Sequence, residues 1–197
     1  MDRRIETVLF NEEEHKYLYE GSELHGVTTA IGKLLNKSFP DTDTVRLATM
    51  YGSDVHKDVE NYFNLHGHYF NAAQLSTEGA KWVVEELKDF CNHINAFLSG
   101  IDCEVMVSDF EGTASKVDVV IRSRDNRAWL FDIKTTSKFD RPYCSLQLSV
   151  YKKLFEECYG MKVEGLYVLA TKLRRTFHVL YQGEYKVRKI LDMNKAL

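Results

Sequence analysis

The 197-residue chain is 44% hydrophobic and 28% charged, the proportions of a globular chain with a core rather than of a disordered one. No apolar run nears the roughly 20 residues that a membrane-spanning helix needs. The opening Met1-Asp2-Arg3-Arg4-Ile5-Glu6 lacks a signal peptide's apolar stretch, so a cytoplasmic protein without a membrane partner is expected.

The net charge of −3 is unevenly spread. From Lys134 onward 13 Lys and Arg stand against 6 Asp and Glu, whereas residues 1–133 carry 13 against 23. A basic surface for phosphates is therefore possible in an acidic chain; any single lysine serves equally well as a solvated charge. The four cysteines, Cys91, Cys103, Cys144 and Cys158, form no C-x-x-C pair. Zinc-ribbon and clustered iron–sulfur readings lose their usual support, and reduced thiols are expected.

In chain order, Thr7–Phe10 and Tyr17–Tyr19 predict a small hairpin, and Val27–Leu35 a short helix with a Thr near its start. Pro40 and Asp41 punctuate. A helix is predicted from Asp43 to Leu65, ended by His66-Gly67-His68, and a second from Glu78 to Leu98, closed by Ser99-Gly100. Strands are predicted at Cys103–Val107, Ser115–Arg122 and Ala128–Lys134, the last two joined at Asp125-Asn126. A helix over Pro142–Tyr159, strands at Gly165–Thr171 and Phe177–Tyr181, and a helix from Glu184 complete the chain. The order predicts an α/β fold, a central mixed sheet flanked by helices after an α-rich N-terminal part.

Two segments carry the chemistry: Gly112 to Asp118, and Asp132-Ile133-Lys134. Asp132 and Lys134 share one face of an extended strand. Two carboxylates and an amine are the parts needed to hold Mg²⁺ or Mn²⁺ and activate a water against a phosphodiester. Asp-x-Lys on a strand also fits an exposed ion pair, but Trp129, Leu130, Phe131 and Ile133 around Asp132 mark a central strand, where an unpaired carboxylate is costly. For Asp118 to face Asp132, hairpin partners must sum to an even number. A two-residue loop forbids that, so a three-residue loop or a β-bulge is predicted.

These segments, with Thr135-Thr136 and Gln147-Leu148-Ser149-Val150-Tyr151, resemble the PD-(D/E)XK nucleases. More narrowly they are similar to the RecB-like branch, which includes many phage exonucleases and mitochondrial genome-maintenance exonucleases. Gly52-Ser53-Asp54-Val55-His56 to Glu60 is similar to that branch's helix with a metal-binding His, and Phe10 to Thr29 is similar to phage members. The resemblance implies one nuclease domain over 1–197: an N-terminal hairpin and helices (1–100), a restriction-endonuclease-like catalytic core (101–183) and a terminal helix (184–197). It implies a metal held by His56, Asp118, Asp132 and the carbonyl of Ile133, and catalysis by Asp118, Asp132 and Lys134. Gln147 and Tyr151 would line the site, contacting phosphate or orienting Lys134, and Thr135 would face substrate.

A lone helical His is more often structural, and Gln147 and Tyr151 equally suit an amphipathic helix boundary. Glu104 matches an acidic position in some relatives but fits solvent exposure as well, and Glu60 ranks with it. Lys172, Arg174 and Arg175 either track a DNA backbone or decorate a hairpin. Tyr51, Tyr62 and Tyr143 are candidates for base stacking, although aromatic core suits them better. His66 and His68 are read as loop histidines.

The expected function is thus a Mg²⁺- or Mn²⁺-dependent DNA exonuclease without an iron–sulfur cluster, since the three clustered downstream cysteines of cluster-bearing relatives are missing. Linear DNA, and a single-strand annealing or binding protein or a helicase, are the implied partners, in a bacterial or phage-infected cell. A structure-specific endonuclease and a non-catalytic nucleic-acid-binding module are the alternatives.

Overall fold

The computed structural model of the chain describes residues 2–35, 42–67, 70, 75–94 and 96–197; Pro40, Asp41 and His68 lie outside them. After a 3₁₀ turn at Arg3–Thr7 come β1 (Leu9–Asn11), β2 (Lys16–Tyr19) and β3 (Ser22–Leu24), a three-stranded antiparallel meander. Then follow α1 (Val27–Leu34), α2 (Asp43–His66), α3 (Glu78–His93), β4 (Leu98–Ser108), β5 (Ala114–Ser123) and β6 (Arg127–Lys134). The chain continues through α4 (Arg141–Tyr159), β7 (Lys162–Ala170), β8 (Arg175–Val179) and α5 (Glu184–Lys195). Among the described residues, no helix is long and apolar enough to cross a membrane.

Side chains cap the helices where the sequence supplies short polar groups. Thr42 accepts the Val45 N–H, Thr77 that of Ala80 and Asp140 that of Tyr143, each worth about 1 kcal/mol. Gly160, at φ 65°, ends α4 in the left-handed conformation that suits glycine. α1 starts at Gly26 with no side-chain cap, so the threonines that follow stand inside the helix.

Strands β4 to β8 form one mixed sheet in that order, antiparallel except for the β6–β7 pair, which α4 connects as a crossover. Ala128 and Leu130 of β6 pack against α4, α1 and α5, while Trp129, Phe131 and Ile133 pack against α2 and α3. A sheet buried on both faces explains the unbroken apolar run of β6. Asn194 of α5 donates to the carbonyls of His25 and Gly26 and to Thr113, so it ties the N-terminal elements to β5. There Gly112 passes so close to α5 that a Cβ would lie 2.8 Å from the Lys195 backbone.

Several boundaries differ from the sequence reading. The apolar spacing that carried the second helix to Leu98 ends at His93; Ile94 is its C-cap and Phe97 stands outside it, 85% exposed. Ser99 and Gly100 belong to β4, at a register shift in the ladder, so they close no helix. Thr7 ends the 3₁₀ turn instead of opening a strand. Thr171 begins a second short 3₁₀ turn, Thr171–Leu173, that leads into β8. β8 ends at Val179, two residues before Tyr181. The β5–β6 loop is Arg124-Asp125-Asn126, with Asn126 at φ 63°. The pair Val119–Phe131 then sums to 250, the even register that sets Asp118 across from Asp132.

Candidate metal centre

The site forms where the ladders come apart. The β5–β6 pairs run from Arg122–Ala128 only as far as Val119–Phe131, although β6 stays paired with β7 to Lys134–Ala170. Beyond Phe131 the Asp118 side chain takes the place of the strand, its Oδ2 accepting the Ile133 N–H at 2.6 Å. On the other side of β5, the pairs Cys103–Val119 and Val105–Val117 put Glu104 opposite Asp118. Glu104 has φ 50°, a left-handed conformation uncommon for a residue with a long side chain. Ile101 and Cys103 pack on the α2–α3 side and Val105 and Val107 on the α4 side, so β4 exchanges faces at Glu104. Val117 and Val119 divide in the same way around Asp118.

Helix α2 brings the imidazole. Val55 and Val59 are buried in the α2–α3 core, and His56 between them reaches the sheet. Its Nδ1 lies 3.6 Å from Glu104 Oε1 and 3.8 Å from Asp118 Oδ1, and its Nε2 lies 3.3 Å from the Ile133 carbonyl. Gly52, one turn earlier, lets the helix come this near: a Cβ there would stand 2.9 Å from Thr135 Oγ1. Thr135 therefore packs under α2.

Ligand atoms of His56, Glu104 and Asp118 all lie within 4.8 Å of one another. The plain-exposure reading of Glu104 is thus corrected, because the left-handed turn in β4 directs its carboxylate to His56. Asp132 stands outside this group. Its side chain is 1% exposed, with Oδ1 accepting from Lys134 Nζ at 2.8 Å and Oδ2 buried without a hydrogen-bond partner. Lys134 Nζ also donates to Gln147 Oε1 at 3.2 Å, Gln147 Nε2 to the Tyr151 hydroxyl at 2.9 Å, and Ser115 Oγ to that hydroxyl at 3.2 Å. Gln147 and Tyr151 are buried, and of the two roles expected of them, contact with phosphate or orientation of Lys134, their hydrogen bonds serve the second. Ser115, not singled out in the sequence, carries only the signal of standing three residues before Asp118.

The charges respond to this crowding. Burial first, then the nearby carboxylates of Asp132 and Glu104, push Asp118 up to about 7 against the opposing pull of His56 and Lys134. Burial works against charge on His56, but Asp118, Glu104 and Asp132 outweigh it, and the imidazole is raised to about 9. Lys134 is likewise disfavoured by burial yet raised by Asp132 and Asp118. At neutral pH the imidazolium of His56 and the ammonium of Lys134 therefore stand beside an Asp118 carboxyl near its titration midpoint.

Oxygen donors, one imidazole and an orphaned carboxylate oxygen are a donor set suited to a hard divalent cation. A cleft of about 280 Å³, lined by Tyr17, His56, Glu104, Ser115, Asp118 and Tyr151 among others, opens on the group. A second, of about 540 Å³, is lined by Lys134, Thr136, Ser137, Lys138, Tyr143 and Cys144 among others.

The remaining predicted residues divide. Tyr62 is buried in the α2–α3 core. Tyr51 lies under Lys172, whose Nζ is 4.5 Å from its ring centroid. Arg174 and Arg175 are exposed at the β7–β8 connection. Glu60 stands one turn beyond His56, and its charge falls on Cys103, whose thiol burial, Glu104 and Glu60 together hold well above its ordinary value. All four cysteines are free thiols.

No protein-family profile and no curated protein matches this sequence. Among solved structures, one named "Putative exonuclease" from Eubacterium rectale aligns at 12% identity, over 88% of this chain and 77% of its own, with a TM-score of 0.38. Similarity of that degree does not by itself establish a common fold.

Proposed function

We propose that this chain is a divalent-cation-dependent deoxyribonuclease of the PD-(D/E)XK kind, degrading linear DNA from its ends. The observation that carries the reading is the convergence of His56, Glu104, Asp118 and the Ile133 carbonyl where β5 and β6 part, with the Asp132–Lys134 pair beside them. These groups would hold the cation, with the Asp132 carboxylate as a further oxygen donor. A bound Mg²⁺ or Mn²⁺ supplies charge stabilisation at the phosphate and a more acidic water.

The protein's own part is to orient and to balance charge. Lys134 keeps its proton, because its neighbours raise its affinity for it. That protonated state in the cation-free site suits it to stabilise negative charge building on the phosphate and to position the water. Asp132, Gln147 and, through it, Tyr151 fix the ammonium in place, which limits the reorganisation needed when that charge develops.

The test is digestion of end-labelled linear duplex and single-stranded DNA with Mg²⁺, Mn²⁺ or EDTA, beside Asp132→Ala and covalently closed circles. Cation-dependent loss of linear substrate, absent in the variant and on circles, is the expected result. Cleavage of circles would make the enzyme an endonuclease, and equal digestion by the variant would remove this site from the reaction. Binding without cleavage under either cation would leave a nucleic-acid-binding module. The motif resemblance further supports a role in recombination or repair in a bacterial or phage-infected cytoplasm, beside an annealing protein or a helicase. Co-purification from such cells would test that.

A further inference from the structure

We infer that Arg141 and Arg175, set over the stacked rings of Phe139 and Phe177, form a two-point clamp for the phosphates of the nucleic-acid strand lying in the Lys134 cleft. The inference rests on the nuclease reading and names a surface for its substrate.

The strand register places the stack. Asp132 pairs with Val168 and Val168 with Phe177; Lys134 pairs with Ala170 and Ala170 with Arg175. Paired residues point to the same side of a sheet. Phe177 and Arg175 therefore share the face of Asp132 and Lys134, two strand spacings or roughly 10 Å away. Phe139, from the segment after β6, lies on Phe177 with ring centroids 4.1 Å apart and planes 13° from parallel. A guanidinium stands over each ring: Arg175 Cζ is 5.1 Å from the Phe177 centroid and Arg141 Cζ 5.8 Å from that of Phe139. Both rings are rooted against the α4-side core, so the stack has a fixed base.

A guanidinium over an aromatic ring still has N–H groups for a bidentate acceptor such as a phosphate. Arg141 spends one donor on the His178 carbonyl, at 3.4 Å. Among the described residues, neither arginine nor neighbouring Lys138 is in an ion pair with a carboxylate, whereas Lys152 and Lys153 of α4 and Arg188 of α5 are held by Glu156, Glu157 and Glu184. The adjacent carboxylate of Asp140 accepts the Tyr143 N–H as a helix cap. The row thus runs from the proposed scissile position at Asp132 and Lys134 to two oriented cations on the same face. A strand of regularly spaced phosphates fits it as an isolated anion would not.

The test is DNA binding to the full chain in EDTA, where no cleavage occurs, by anisotropy of labelled single-stranded and duplex oligonucleotides across a salt series. The wild type is compared with Arg141→Ala, Arg175→Ala, the double Ala variant and the double Lys variant, all with unchanged urea midpoints. Each Ala substitution is expected to lower the log–log salt slope by about one, and the pair to weaken binding about tenfold or more. Lys at both positions is expected to restore the slope but not the affinity. Unchanged slopes and affinities in the Ala variants of an enzyme that cleaves DNA would overturn the clamp alone. Wild-type affinity in the double Lys variant would do so too, since any cation would then suffice. A wild type that neither binds nor cleaves would remove the nuclease reading and the clamp together.

Discussion

Asp118 accepts the backbone N–H of Ile133 at 2.6 Å, so a side chain continues a sheet ladder that the backbone has abandoned. The bond explains how a carboxylate crowded by Glu104 and Asp132 keeps its place. It also fixes the Ile133 carbonyl, at the same residue, where His56 meets it.

Replacement of Asp118 separates charge from scaffold. Asp118→Asn retains an acceptor for the Ile133 N–H, and its urea midpoint should stay near wild type while cation binding is lost. Asp118→Ala leaves that N–H unsatisfied and should cost about 1–3 kcal/mol. Equal stabilities of the two variants in urea unfolding would show that the bond holds nothing.

Stability without cation should fall as pH rises. The folded pKa of His56, about 9, lies above its ordinary value of 6.5, so its contribution is complete below about 6.5 and lost as pH rises through 9. Asp118, raised from 3.8 to about 7, prefers its protonated form when folded, so the fold loses stability as pH rises from 3.8 to 7. Melting temperatures from pH 5 to 10 in EDTA should decline. His56→Ala should flatten the limb between 6.5 and 9, and an unchanged limb would contradict the assignment.

Cation binding should release protons. Imidazole ligates only when neutral, and His56 is protonated at pH 7 by its carboxylate neighbours. Calorimetric titration with Mn²⁺ in buffers of different ionisation enthalpy should give proton release and an affinity that rises with pH up to about 9. Titrations independent of buffer and pH would place the cation elsewhere.

The Asp132–Lys134 pair should behave as a buried unit. Removing Lys134 strands a carboxylate that is 1% exposed and already has one unpartnered oxygen, so Lys134→Ala should cost about 3–5 kcal/mol. The double variant Asp132→Asn, Lys134→Met should be more stable than Lys134→Ala. Urea unfolding of the four-member cycle reads the coupling directly, and additive effects would show the pair to be a surface contact.

Gly52→Ala should weaken the centre through packing alone. Its Cβ would come within 2.9 Å of Thr135 Oγ1 and lift α2, and His56 with it, away from β6. A drop in Mn²⁺ affinity of about tenfold is expected, with recovery on adding Thr135→Ala, which clears the space. Wild-type affinity in the single variant would show that this close approach does not position His56.

The order of elements was legible because it is local. Apolar spacing of 3.6 or 2 and the uninterrupted apolar run of β6 are written in neighbouring residues. Parity went further: requiring Asp118 to face Asp132 predicted a three-residue loop or a β-bulge, and Arg124-Asp125-Asn126 forms the loop. The second helix was read too long because Ile94 and Phe97 continue the helical spacing, while the start of β4 depends on pairing with Ser123 and Arg122, about 25 residues on.

The sequence alone therefore determined the α/β architecture, the acids and lysine on adjacent strands, and His56 as a helical residue that could reach them. Tertiary structure decided the rest. Glu104 joined the group because a left-handed residue turns β4 over at that point, and no neighbour in sequence announces it. Gln147 and Tyr151 became supports for Lys134 because burial of α4 removed them from solvent. Arg141 and Arg175 became neighbours only through the β6–β7–β8 register and the Phe139–Phe177 contact. Local rules choose elements, but charge, proximity and exposure at a site come from pairings between segments far apart in the chain.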